Sequence, residues 1–117
     1  MNDVAAVLTG ARELISDPER WTQHVYARDA KGWHTSWDSP KAVCWCAVGA
    51  VGRAAQVVQE ESVERNALVF RAMDELRRVI GDHGVSSFND HYAHADVLHM
   101  FDQAIAASRP QENEETA

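Results

Sequence analysis

The sequence predicts a mainly α fold: a compact domain of four helices with a small β-hairpin between the first and the second. Three observations carry this. Apolar residues recur at three- and four-residue steps through several segments. Residues 23–37 lack that stripe and are rich in strand formers around a glycine-bearing turn. The stretch KAVCWCAVGAVGR, residues 41–53, is apolar around most of a helical circumference, as a buried central helix is.

The first helix is expected over 3–16, where Val4, Val7, Leu8, Ala11, Leu14 and Ile15 form one stripe. Asn2 or Asp3 can cap its start. Ser16-Asp17-Pro18-Glu19 ends it, because a residue before proline is pushed out of the helical region. The same tetrad can open a short helical turn, with Asp17 as cap and Pro18 in first position. In 23–37, Val25, Tyr26, Trp33, Thr35 and Trp37 favour strands, and Asp29-Ala30-Lys31-Gly32 supplies the turn. A lone hairpin is marginal in water, so this one must lie on the helices.

Ser39-Pro40 opens the second helix, expected over 40–59. Ser62 caps a third over 63–80, with Leu68, Val69, Ala72, Met73, Leu76, Val79 and Ile80 on its inner face. Arg71/Glu75 and Asp74/Arg78 are spaced for pairing outside, and Gly81 is a natural stop. Residues 82–91 read as a loop. The fourth helix follows to about Ser108, with Val97, Leu98, Phe101, Ala104 and Ile105 inward. Residues 1–109 are thus expected to form one globular domain. Residues 110–117, polar and free of apolar anchors, are expected to be a disordered acidic tail.

At 117 residues the chain has the size of one domain and needs no disulfide framework. Its 2 cysteines are too close in sequence to staple distant segments, which suits a reducing, cytoplasmic setting. No membrane span is expected, and Asp3 and Glu13 replace the basic leader and apolar run of a secretory signal. The net charge of −7, three of it from Glu112, Glu114 and Glu115, disfavours binding to nucleic-acid phosphates and permits a basic partner.

Two stretches look chemical. In the first, Cys44 and Cys46 flank Trp45. On a helix they point about 160° apart, which rules out a shared metal or a disulfide. Ala42, Cys46, Gly49, Ala50 and Arg53 instead make a seam of small residues, with Trp45 packed toward Gly49 and Gly52. Cys46 then acts as a small hydrophobe. The second is SSFNDHYAHADVLHMF, residues 86–101. Asn89 and Asp90 suit a helix N-cap. His94 faces inward, His99 faces water, and His91 with His94 has the spacing of a partial metal site. A sharper reading joins Asp90 and His94 to Cys46 as orienter, base and nucleophile, the candidate catalytic set. Against it, a mid-helix thiol is poorly placed for reaction. Arg53 can bind an anion, pair with Asp90 or reach out of the core. Trp21, Trp33 and Trp37 are candidate anchors for a partner or an aromatic ligand.

The order of ARELISDPERWTQ, SPKAVCWCAVGAV and FND followed by HADVLHMFDQAI resembles a family of short bacterial and bacteriophage proteins of unknown function. The matching residues are Asp17, Pro18 and Trp21; Trp45, Cys46, Gly49 and Ala50; and Asn89, Asp90, His94, Val97 and Leu98. The resemblance implies no established activity, but it favours a small accessory or host-interaction protein. The leading expectation is therefore a non-catalytic cytoplasmic protein that binds a protein partner, using Trp21, Trp33, Trp37, Arg53, Asn89, Asp90 and His94, with no metal or other cofactor. One alternative is a small hydrolase or transferase using Asp90, His94 and Cys46. Another is a pocket for an anionic or aromatic ligand near Arg53 and the tryptophans.

Overall fold

The computed structural model describes residues 3–108. The expected tail, 110–117, and the expected cap at Asn2 lie outside them. In chain order the elements are α1 (Asp3–Leu14), a 3-10 turn (Pro18–Arg20), β1 (Ala27–Arg28), β2 (Cys44–Trp45), α2 (Ala47–Val58), α3 (Ser62–Ile80), α4 (Val85–His91) and α5 (His94–Ser108). The fold is mainly helical with a small antiparallel strand pair, as the periodicity predicts, but the described residues hold five helices rather than four.

Helices α1, α3 and α5 follow their stripes. Ala5, Val7, Leu8 and Ala11 of α1 are buried, with Ile15 just beyond. They pack against Leu68, Ala72, Met73 and Leu76 of α3 and against Val97, Met100, Phe101, Ala104 and Ile105 of α5. Leu98, expected inward, is half-buried. Asp17 caps the 3-10 turn by accepting the Glu19 amide at 2.9 Å, with Pro18 in first position. Gly81 ends α3 at φ +69°, a conformation that glycine adopts without Cβ strain. On the outer face of α3, the ion pairs are Asp74–Arg77 and Glu75–Arg78, at three-residue rather than the expected four-residue spacing. Ser62 is the first helical residue of α3, and Glu61 stands in the cap position without a side-chain hydrogen bond.

Two sequence expectations are corrected. Residues 82–91 are not a loop, since α4 fills most of them. It is only seven residues long and buries just Val85 and Asn89. So short a helix leaves too few apolar residues to show a period. The second correction concerns the Cys-Trp-Cys stretch. Cys44 and Trp45 are extended and pair antiparallel with β1, in the register Ala27↔Trp45 and Arg28↔Cys44. The central helix therefore starts at Ala47 instead of residue 40.

The predicted turn does form. Asp29 accepts the amides of Lys31 and Trp33, Gly32 sits at φ +87°, and Arg28 bridges His34. The strand that pairs most with 27–28 comes from beyond that turn, however. Two-residue strands have no alternation to read, so their pairing was invisible to pattern.

Of the expected small-residue seam, Gly49, Ala50 and Arg53 lie on α2, whereas Ala42 and Cys46 precede the helix, and the neighbours differ from those expected. A Cβ on Gly49 would overlap the Tyr26 carbonyl, so β1's approach passes directly over this glycine. A Cβ on Gly52 would lie 2.9 Å from the Trp37 ring. Trp45, expected there, is instead buried with its indole N–H donated to the Trp37 carbonyl at 3.0 Å. Among the described residues, no helix is long and apolar enough to cross a membrane.

Candidate functional site

The chain between α1 and α2 has little ladder of its own, so its backbone polar groups need distant partners. Asn89 supplies several. Its side chain is fully buried, the one buried polar residue among those described. Its Oδ1 accepts the Trp21 indole N–H at 2.7 Å and the Ala47 amide at 2.9 Å. Both partners are pure donors, which fixes the orientation of the amide. Its Nδ2 donates to the Thr22 carbonyl at 3.0 Å and to Asp90 Oδ1 at 3.2 Å. One side chain thus ties the 21–22 segment, the first residue of α2 and the C-terminal half of α4 together. Asn89 and Asp90 are not N-caps, as the sequence suggested. They sit late in α4 and serve tertiary contacts.

Next along the chain, Gln23 donates to the carbonyls of Asn89 and Asp90 at 3.0 and 3.2 Å. The His24 amide donates to Asp90 Oδ1 at 2.8 Å. His24 is the one described non-glycine residue with positive φ, at +76°. For a histidine this conformation is uncommon, and the Asp90 and Gln23 bonds hold the backbone in it. Its Nδ1 lies 3.7 Å from Asp90 Oδ2.

Cys46 stands between strand and helix. Its amide donates to the Tyr26 carbonyl at 3.1 Å, and its Sγ accepts the Gly49 amide at 3.4 Å, making the thiol the N-cap of α2. Burial pushes the thiol pKa up, and the helix amides oppose this only in part. The expected mid-helix position is corrected, since Cys46 stands at the N-cap of α2. The first-turn amides are already engaged, residue 46 with Tyr26, residue 47 with Asn89 and residue 49 with the sulfur itself. Cys44 and Cys46 are both free thiols.

His24, Val25, Tyr26, Cys46, Ser86 and Asp90 line a cavity of about 210 Å³ beside the start of α2. Of the residues singled out in the sequence, Cys46 and Asp90 meet here and Asn89 lies directly behind them. His94 is not among the lining residues. Its Nε2–H donates to the Ile15 carbonyl at 2.6 Å and its ring packs on Trp21, with centroids 5.2 Å apart. It locks the end of α1 to α5. His91 likewise donates to the Ser87 carbonyl, at 2.8 Å. No group of three or more potential metal ligands occurs among the described residues.

The remaining candidates are dispersed. Trp21 and Trp37 are half-buried, while Trp33 is 70% exposed. Arg53 donates to the Asp38 carbonyl at 3.3 Å, with its guanidinium 5.9 Å from the Trp45 ring centroid. Sequence reasoning passed over Gln23, His24 and Ser86. A polar tract after Trp21 was the available signal for the first two, but nothing local marks a histidine that will take positive φ.

A helical domain whose one irregular segment is pinned by a buried amide defines a structural class and no activity. The profile of DUF6197, a family of unknown function, matches residues 1–107, and the chain belongs to that family. No curated protein and no solved structure matches it.

Proposed function

We propose that the protein is a non-catalytic, cytoplasmic binding protein that docks a protein partner on the surface between α1 and α2. The observation that supports this is the exposure of Trp33, Tyr26 and Val43, at 70%, 55% and 44%, on a segment whose backbone is fixed by Asn89, Asp90 and Asp29. Asp29's amide is bonded to the Trp33 carbonyl, and the neighbouring Arg28 carbonyl to the Val43 amide, so Trp33 and Val43 flank one turn. Large rigid aromatics on an ordered surface suit hot spots, because little conformational freedom is lost on binding. We extend the proposal to a phage accessory protein or an inhibitor of a host protein. The test is capture from a cell lysate with paired baits, wild type and Trp33→Ser. A partner retained by the first and lost by the second supports the reading, and equal capture by both contradicts it.

A second reading, a small thiol hydrolase or transferase, is favoured by the shared cavity of Cys46, His24 and Asp90, with His24 in the place expected of His94. The raised thiol pKa and the engaged first-turn amides weigh against it, since an acyl-transfer site needs a thiolate and free donors for an oxyanion. Iodoacetamide labelling of Cys46 in a Cys44→Ser background separates the two. Rapid labelling of the folded protein supports catalysis, and labelling only on unfolding supports the binding reading.

A further inference from the structure

We infer that the cavity beside the start of α2 receives the cationic side chain of an arginine or lysine from a basic protein partner, an inference that rests on the protein-docking reading above. Asp90 is the carboxylate it would meet. Its Oδ1 is committed to the His24 amide and to Asn89 Nδ2, at 2.8 and 3.2 Å, so the group is held in one orientation. Among the described residues, the polar partner of its Oδ2 is His24 Nδ1, at 3.7 Å, which is outside hydrogen-bond range. The side chain is 24% exposed, enough for a partner to reach and sheltered enough to strengthen a charged hydrogen bond.

The rest of the lining fits the same occupant. Val25 and Tyr26 supply apolar surface for the methylene stem of a long basic side chain, and Ser86 adds a hydroxyl at the wall. Of the other titratable side chains lining the cavity, His24, Tyr26 and Cys46, His24 is the one beside Oδ2. It is 69% exposed, holds no hydrogen bond to that oxygen and pairs with it only when protonated, so a neutral His24 leaves Oδ2 to a partner's cation. Tyr26 belongs both to this cavity and to the exposed apolar surface, making the pocket continuous with the docking face. The chain's net charge of −7 attracts a basic segment and repels an acidic one.

The experiment is a nitrogen-15 NMR titration of the full chain with the capped peptide Gly-Gly-Arg-Gly-Gly and its uncharged citrulline counterpart. The arginine peptide should produce saturable shifts at the amides of His24, Val25, Ser86 and Asp90, and the citrulline peptide should not. Asp90→Asn keeps an oxygen for His24 and Asn89 while removing the charge. It should weaken the arginine peptide by about tenfold or more, the scale of one hydrogen bond to a charged group. No saturable shifts, equal shifts with citrulline, or unchanged affinity in D90N would overturn the inference, and the citrulline comparison decides alone where D90N is misfolded. Lysate capture separates this failure from that of the docking reading. A partner lost by the Trp33→Ser bait but held by D90N removes the pocket and leaves the docking face.

Discussion

The helical core and the segment from Trp21 to Cys46 are stabilised by different physics. In α1, α3 and α5 the backbone bonds are internal, and apolar stripes meet across the interior through Leu8, Leu68 and Phe101. Between Trp21 and Cys46 the ladder is two residue pairs long, extended by a few single backbone bonds. The segment is tied to the helices by the side chains of Asn89 and Asp90 and by its own Gln23, which reaches the carbonyls of both. Burial is distributed over many contacts and tolerates local change. A polar junction concentrates its effect in a few atoms, each costly to leave unpaired.

Substitutions break or sharpen that contrast. The largest loss is expected for Asn89→Ala, which leaves the Trp21 indole N–H, the Ala47 amide and the Thr22 carbonyl without partners. Urea unfolding should show a loss of about 3–5 kcal/mol, from unsatisfied groups at about 1–3 kcal/mol each. Leu8→Ala, in the core, should cost about 3 kcal/mol through its cavity, yet leave the Trp21 indole proton resonance where it is in wild type. Gly49→Ala forces Tyr26 off α2 and should cost about 2 kcal/mol, with the shift changes confined to 24–28 and 44–50.

Cys46 gives a smaller, pH-dependent effect. Its folded pKa is raised above the ordinary value of 9.0. The stabilisation by a protonated buried thiol is therefore full below about pH 9 and fades as pH climbs toward the folded pKa. The stability difference between wild type and Cys46→Ala should be flat from pH 6 to 8 and shift against wild type by pH 10. A difference that is unchanged at pH 10 would contradict this. The smallest effect is expected for Trp33→Ser, within about 0.5 kcal/mol, because the side chain is mostly in water. A large loss there would mean that Trp33 supports the fold instead of a partner.

The same contrast explains what was legible in the sequence. Periodicity placed α1, α3 and α5 and most of their buried residues, and turn chemistry placed Asp29–Gly32. It misread Val43-Cys44-Trp45 as helix, since an apolar run looks alike whether it pairs with a strand or buries in a bundle. It missed α4 because two buried residues make no stripe. Asn89 and Asp90 drew attention for their type and position, and they do matter. Their role was assigned to the nearest helix start, because local capping is visible in a sequence whereas a hydrogen bond to Trp21, 68 residues away, is not. His94 is turned inward as the sequence predicts, but its partner, the Ile15 carbonyl, lies just beyond the end of α1, 79 residues away.

Amide hydrogen exchange on wild type and Asn89→Ala tests most directly whether one buried side chain holds the irregular segment on the helical core. The exchange rates of Thr22, His24, Cys46 and Ala47 should rise far more than those of Leu8, Leu68 and Phe101, in residues that stay protected by the core. An equal rise in both sets, or unchanged protection at 22–47, would contradict the account.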